Sequence, residues 1–177
     1  MTILITQRLR LEPINDHHLE GLCRLNSDPL VMRFISGVPE TREQTMEMIV
    51  RVKDRWAEFG YSWWAFIDAQ TEDLIGAGCI QHLGRDRANP LEIGWRLSTD
   101  KWGQGYATEA AYAMARFAFD DLHAPLLCAI CLPENTASSH VMQKLGMTYK
   151  GMERWHEKDT AVYTISRENW KKRSAQK

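Results

Sequence analysis

The run of residues 102–110 joins a predicted strand over residues 91–98 to an alanine-rich helix. Gly103 and Gly105 let the backbone of this run come close to a ligand, because glycine carries no Cβ. The first N–H groups of the following helix have no partner inside the helix and can donate hydrogen bonds to phosphate oxygens. The run therefore limits this part of the chain to a strand, a tight turn and a helix, and it predicts an anion site that a diphosphate would fit.

The same run argues against two classes of nucleotide-binding protein. The phosphate loop of nucleotide triphosphatases ends in Gly-Lys followed by Ser or Thr, whereas Gly105 is followed by Tyr106 and Ala107. The dinucleotide fingerprint requires Gly or Ala at the position that Thr108 occupies. Nucleotide hydrolysis and nicotinamide chemistry are therefore both disfavoured.

Length and charge limit the domain organisation and the partners. A chain of 177 residues, 44% of them hydrophobic, predicts one domain with a full core, over residues 1–170, and a loose, solvated tail over residues 171–177. The formal net charge of −1 gives no overall attraction for nucleic acid or for an anionic membrane. The N-terminus has no signal-peptide pattern, and no apolar run approaches the roughly 18 residues of a membrane span, which predicts a cytoplasmic protein.

The cysteines and histidines form no metal-binding pattern. Cys128 and Cys131 lie three positions apart in a predicted strand, so their thiols face opposite sides and are expected in the core. His17 and His18 have no companion at metal-ligand spacing and are expected to be solvated. We therefore predict no metal.

Hydrophobic periodicity predicts the element order β-α-α-β-β-β-α-β-α-β-β, with seven strands. Thr41 and Gln44 form a capping box that begins one helix, and Asn135 is expected to cap the last one. The predicted strands are residues 6–13, 61–68, 74–83, 91–98, 126–132, 147–155 and 159–165.

Three ordered motifs resemble those of the GNAT N-acetyltransferases, particularly their RimJ/RimL branch. The motifs are residues 102–110, residues 135–147, and the N-terminal segments 6–13 and 28–34. The match spans nearly the whole chain, over residues 6–163. It implies an α/β fold of three layers, in which a seven-stranded, mixed and mostly antiparallel sheet is flanked by helices and its central strand pair splays apart.

The resemblance implies acetyl-CoA as the acetyl donor, with its diphosphate held by backbone N–H groups. Trp102 stands where the superfamily usually has Gln or Arg, while Gly105 and Ala107 match the other motif positions. Trp95 and Leu97 match the strand positions that pair with pantetheine, and ordinary core residues are the alternative there. The candidate cofactor-binding residues are Trp95, Leu97, Trp102, Gly103, Gln104, Gly105, Tyr106, Ala107, Thr108 and Asn135.

Acetyl transfer to an amine requires a neutral nucleophile and a thiolate that can leave. Glu92 matches the position where the family often places a carboxylate near the acceptor amine, and a solvated or ion-paired glutamate is the alternative. Ser138 resembles the position that donates a hydrogen bond to the CoA sulfur, and a hydroxyl bonded to the local backbone is the alternative. Asn135 either bonds pantetheine or only caps its helix.

The resemblance predicts an enzyme, an acetyl-CoA-dependent N-acetyltransferase that works by direct transfer in a ternary complex. The acceptor is expected to be a primary amine, such as the α-amine of a protein N-terminus, a peptide or a small metabolite, and the chain a monomer or a homodimer. Arg33, Phe34 and Trp63 are the candidate acceptor-binding residues, with core or surface roles as the alternative. The alternative function is a CoA-ligand sensor or partner-binding module of the same fold with little turnover.

Overall fold

This computed structural model describes residues 2–175, apart from the side chain of Ser174, and the chain divides into two compact units. The single domain expected over residues 1–170 therefore stays a prediction. The first unit comprises Met1–Cys79 and Trp95–Ala110, and the second comprises Ile80–Gly94 and Ala111–Lys177.

The first unit contains four neighbouring antiparallel strands. They are, in order, β1 (Leu4–Ile5), β2 (Leu9–Pro13), β3 (Trp63–Asp68) and the part of β4 (Leu74–His82) that ends at Cys79. Leu9 and Leu11 are fully buried, as their alternation with charged residues predicts. Leu11 lies opposite Phe66 of β3. The short strand β1 is an addition to the seven that the sequence predicts.

The helices of the first unit begin and end at the residues that cap them. The unit holds α1 (Leu19–Ser27), α2 (Pro29–Met32), α3 (Arg42–Phe59) and the beginning of α4 (Tyr106–Arg116). The capping box before α3 is confirmed, because Thr41 and Gln44 each donate a backbone N–H to the other's side-chain oxygen. Gly60 ends α3 in the left-handed conformation, with φ of 75°.

The second unit contains the strands that follow β4. They are β5 (Leu91–Leu97) up to Gly94, β6 (Leu126–Cys131), β7 (Thr148–Trp155) and β8 (Lys158–Ser166). Strand β8 lies between β6 and β7 and is antiparallel to both. Strand β5 pairs in parallel with the beginning of β6, where Glu92 lies opposite Cys128. The predicted fold class, a mixed and mostly antiparallel sheet flanked by helices, is confirmed.

The second unit also holds the last two helices, α5 (Thr136–Leu145) and α6 (Arg167–Ser174). A π-helical turn, Phe117–Asp121, follows α4. Asn135 caps α5 as predicted, and Gly146 ends it with φ of 87°. No helix within residues 2–175 is both long enough and apolar enough to cross a membrane.

The prediction of a loose tail is wrong for residues 171–174, which are helical. The side chain of Ser166 accepts a hydrogen bond from the N–H of Asn169 and so caps α6. Trp170 is buried, and the guanidinium of Arg173 donates a 2.7 Å hydrogen bond to the carbonyl of Lys144. Residues 176–177 of the predicted tail lie outside the described residues.

Two cysteines and two histidines for which the sequence makes predictions differ in burial. Cys128 and Cys131 are buried, which confirms their predicted place in the core. His17 is exposed as expected, whereas the expectation of a solvated His18 is wrong. The Nδ1 atom of His18 accepts the N–H of Asn15, and the surrounding chain buries the ring.

Candidate functional site

The glycine-rich run forms the tight turn that the sequence predicts. After β5 the chain makes a short 3₁₀ turn, Thr99–Lys101, and α4 begins at Tyr106. Gly103 and Gly105 have φ values of 72° and 86°, in the left-handed region that favours glycine. The two glycines therefore allow a turn that most other residues would strain.

Backbone N–H groups in this turn are free to bind a ligand. The N–H groups of Lys101 and Trp102 bond back to the preceding turn, and that of Glu109 bonds to the carbonyl of Gly105. Between them, the N–H groups of residues 103–108 donate no hydrogen bond to any residue that the structure describes. A row of unpartnered N–H groups at the start of a helix suits the oxygens of a diphosphate.

Side chains fasten the turn to the end of β5. The indole Nε1 of Trp102 donates a 2.9 Å hydrogen bond to the carbonyl of Leu97, although 48% of the Trp102 surface is exposed. The amide of Gln104 donates to the carbonyl of Asp100 at 2.7 Å. The carbonyl of Leu97 is therefore already engaged, and Trp95 is half-buried.

Arg8 joins the turn to strand β2, a link that the motif spacing does not predict. Its Nε lies 2.7 Å from Oε2 of Glu109, its backbone N–H donates to Oε1 of the same carboxylate, and its Nη1 donates to the carbonyl of Gln104. The hydroxyl of Thr6 also donates to Glu109. Burial raises the pKa of Glu109, but these hydrogen bonds outweigh it and lower the pKa. Arg8 and Glu109 each lie in a family motif, yet no local signal pairs two residues so far apart in sequence.

Two cations lie near the ring of Tyr106, the first residue of α4. The guanidinium of Arg8 is 4.1 Å from the ring centre, and the ammonium of Lys101 is 5.8 Å from it. The hydroxyl of Tyr106 donates to Asp68 at 3.2 Å, and Lys101 lies 3.6 Å from the same carboxylate. Backbone N–H groups, beginning with that of Gln70, lower the pKa of Asp68. The turn is thus held by its own side chains, by Arg8 just before β2, and by Asp68 at the end of β3.

Glu92 is buried in the second unit, with 8% of its surface exposed. Gln81 donates a 3.3 Å hydrogen bond to its carboxylate, and Glu92 forms no ion pair with any described residue. Burial raises the pKa of Glu92 to about 7, against the opposing effects of Gln81 and Arg85. A carboxylate of this pKa can accept a proton near neutral pH, as a general base must.

Asn135 and Ser138 lie at the beginning of α5. The side-chain oxygen of Asn135 accepts the N–H of Ser138 at 3.2 Å, which is the capping role. The hydroxyl of Ser139 bonds back to the carbonyl of Thr136. The hydroxyl of Ser138 forms no hydrogen bond within the described chain, so it is available to a ligand.

The candidate acceptor residues lie in the first unit. Arg33 follows α2, and its guanidinium lies 5.0 Å from the ring centre of Phe34. Trp63 of β3 carries the guanidinium of Arg96 4.7 Å above its ring. Arg96 is a buried residue of β5 that the motifs do not single out. The structure thus brings together two pairs of cation and aromatic ring.

One cluster of side chains that can ligate a metal ion lies outside the predicted cofactor, catalytic and acceptor residues. Ligand atoms of Glu12, His17 and His18 lie within 4.8 Å of one another. Arg10 forms an ion pair with the same Glu12 carboxylate, and burial lowers the pKa of His18. The adjacent guanidinium works against the binding of a further cation, so the cluster does not alter the interpretation of the loop.

Comparison with known proteins assigns the chain to a family. The model of the acetyltransferase (GNAT) domain matches residues 8–148. An uncharacterised protein of Bacillus subtilis, YkkB, is 34% identical over 166 residues, covering 92% of this chain and 94% of the relative. The FsC-acetyl coenzyme A-N(2)-transacetylase of Aspergillus fumigatus is 28% identical over 189 residues, covering 94% of this chain and 77% of that relative.

A solved structure shares the fold as well. The GNAT-family acetyltransferase from Bacillus anthracis superposes with a TM-score of 0.81 at 25% identity, covering 94% of this chain and 99% of that one. GNAT acetyltransferases use acetyl-CoA as donor and act on amine acceptors such as proteins or small molecules. The predicted resemblance to the GNAT family is confirmed, and the chain is an acyltransferase that belongs to the GNAT acetyltransferase family.

Proposed function

We propose that this protein transfers the acetyl group of acetyl-CoA directly to a primary amine in a ternary complex. The observation that carries the proposal is the row of unpartnered N–H groups at residues 103–108, because such a row matches a diphosphate. Gly103 and Gly105 keep the approach to these groups clear. The fixed side chains of Trp102, Gln104 and Arg8 maintain the turn in this shape.

Glu92 is proposed to remove the proton that the amine must lose. The amine nitrogen attacks the thioester carbonyl, the new C–N bond forms, and the C–S bond breaks as the thiolate leaves. Glu92, directly or through water, takes the proton from the nitrogen, and the hydroxyl of Ser138 donates a hydrogen bond to the departing sulfur. A backbone N–H that stabilises the oxyanion would lower the barrier further.

The acceptor is proposed to be the α-amine of a peptide or small metabolite. An α-amine has a pKa of about 7.7–8.0, so roughly a tenth of it is neutral at pH 7, whereas a lysine amine near 10.4 is almost wholly protonated. A base with a pKa of about 7 suits the first kind better. One relative is named an N(2)-transacetylase, which supports an amine acceptor here.

Calorimetric titration with acetyl-CoA, followed by an assay of CoA thiol release with a panel of amines, tests the proposal. We expect saturable acetyl-CoA binding and thiol release with at least one α-amine. Binding without release from any amine would favour the sensor over the transferase. Absence of acetyl-CoA binding at millimolar concentration would refute the role of the loop.

Arg8→Ala is expected to weaken acetyl-CoA binding about tenfold, which corresponds to roughly 1.4 kcal/mol. The variant loses the contacts that hold Glu109 and the carbonyl of Gln104, so the turn is less well fixed before the ligand arrives. Calorimetry measures the dissociation constant, and thermal unfolding checks that the variant is folded.

Arg10→Ala is the matched control for this prediction. Arg10 is a nearby arginine in β2 that is similarly exposed, and it pairs with Glu12 and Glu72 rather than with the turn. Its removal should change acetyl-CoA affinity by less than about twofold, because exposed ion pairs contribute little. Equal effects of the two variants would contradict a specific role for Arg8.

A further inference from the structure

Arg96 carries a buried guanidinium. Only 8% of its surface is exposed, its Nε has no hydrogen-bond partner, and it forms no ion pair with any described residue. Its guanidinium lies over the ring of Trp63, with 4.7 Å between Cζ and the ring centre. We propose that Arg96 binds a carboxylate of the acceptor, so that the amine substrate is an acid such as an amino acid or a peptide with a free C-terminus.

A buried cation without a hydrogen-bonded anion is costly, so its presence calls for a reason. The ring of Trp63 offsets part of this cost but accepts none of the five N–H bonds that a guanidinium offers. Glu40 attracts Arg96 only from beyond ion-pair distance, and its carboxylate accepts a 2.9 Å hydrogen bond from Asn26. The polar side of Arg96 therefore lacks a fitting acceptor inside the first unit.

A carboxylate is the anion that this geometry favours. Arginine presents two parallel N–H groups that match the two oxygens of a carboxylate, and an aromatic ring behind the guanidinium keeps that fork in one plane. The phosphates of the donor have their own partners in the free N–H groups of residues 103–108. Trp63 is a candidate acceptor residue, so Arg96 lies where the acceptor is proposed to bind.

This inference rests on the proposed transferase function, and its test separates the two. L-Alanyl-L-alanine and its C-terminal amide have α-amines of similar basicity and differ in the carboxylate. We expect the wild-type enzyme to acetylate the acid with a kcat/KM at least about tenfold above that of the amide. In Arg96→Gln this ratio should fall to about one, and Arg96→Lys, which keeps the charge but loses the fork, should lie between.

Two further measurements keep the test decisive. Calorimetric binding of the acid and the amide to the enzyme saturated with CoA should show the same preference without any turnover. Arg96→Gln should unfold at the same denaturant concentration as the wild type or at a higher one, because the variant removes a buried unpaired charge. If Arg96 instead formed a structural ion pair, the variant would unfold at a lower denaturant concentration. Arg51→Gln, an exposed residue of α3, is the control and should keep the preference.

Each outcome bears on one claim. The role of Arg96 would be overturned if the wild-type enzyme bound and acetylated both dipeptides equally, or bound neither. It would also be overturned if Arg96→Gln kept the preference for the acid. Failure to bind acetyl-CoA or to release thiol from any amine would instead count against the transferase proposal.

Discussion

Replacing Glu92 with glutamine is expected to lower kcat by about 10²–10⁴, the range found when a general base is lost. The substitution keeps the size of the side chain and a hydrogen bond to Gln81, but an amide cannot accept the proton of the attacking amine. Binding of acetyl-CoA should be unchanged, since the proposed diphosphate donors are in residues 103–108. Steady-state thiol release and calorimetry measure the two quantities.

Glu168→Gln is the control for this substitution. Glu168 is exposed on α6 and pairs with Lys172, so its loss should alter kcat by less than about twofold. If Glu92→Gln retains at least a third of the wild-type kcat, Glu92 is not the base and the proposed proton transfer is wrong.

The pH dependence of the reaction offers an independent check on Glu92. Burial raises its pKa to about 7, and only the ionised form can accept a proton, so kcat/KM should rise with pH and level off above about pH 7. Gln81→Ala removes the hydrogen bond that lowers this pKa, so the midpoint should move to higher pH. The ionisation of the acceptor amine does not depend on residue 81. If the midpoint of the pH profile is the same in Gln81→Ala as in the wild type, the midpoint belongs to the amine and not to Glu92.

The same pKa predicts the stability of Glu92→Gln. Because the folded pKa lies above that of the unfolded chain, near 4.5, the folded state gains stability from protonated Glu92 below pH 4.5 and loses it as pH rises through about 7. Above pH 8 the ionised side chain costs up to about 3 kcal/mol, at 1.36 kcal/mol for each unit of pKa. Glu92→Gln should therefore exceed the wild type in unfolding free energy at pH 8–9 and match it near pH 5, as denaturant titrations would show.

Local signals account for the parts of the fold that the sequence predicts. Thr41 and Asn135 cap their helices because a short polar side chain can accept a nearby N–H, which depends only on adjacent residues. Leu9 and Leu11 are buried because alternation on a strand is also local. By contrast, α6 depends on burial of Trp170 against other elements, so polar composition alone suggested a loose tail.

The candidate site shows the same division. The turn at residues 102–108 follows from its glycines, whose positive φ values are local properties. The pairing of Arg8 with Glu109 and the contact of Arg96 with Trp63 join residues far apart in the sequence, and no spacing rule in a single sequence specifies them. The burial that shifts the pKa of Glu92 likewise comes from packing. Residue types are thus predictable here, whereas partners and proton affinities require the fold.

Gly105→Val is expected to raise the dissociation constant of acetyl-CoA about a hundredfold. Gly105 has φ of 86°, where a branched L-residue is strained, and a Cβ there would lie 3.4 Å from a guanidinium nitrogen of Arg8. The turn can relieve this strain only by a change of backbone conformation, which redirects the N–H groups of residues 103–108. To bind the ligand, the turn must return to the strained conformation, which costs about 1–3 kcal/mol and lowers the affinity roughly 10–100-fold. The added side chain also obstructs the ligand.

Gly60→Val is the control that distinguishes loss of the binding turn from a general effect of backbone strain. Gly60 has φ of 75°, ends α3, and has no atom within 4 Å of the position that a Cβ would take. The control therefore introduces a similar backbone strain away from residues 103–108, and it should lower the unfolding temperature while acetyl-CoA affinity changes by less than about twofold. A Gly105→Val protein that still binds acetyl-CoA as tightly as this control would show that the free N–H groups of the turn do not hold the diphosphate. In that case the proposed donor site would have to be abandoned, because no other feature of the described chain has been assigned to the phosphates.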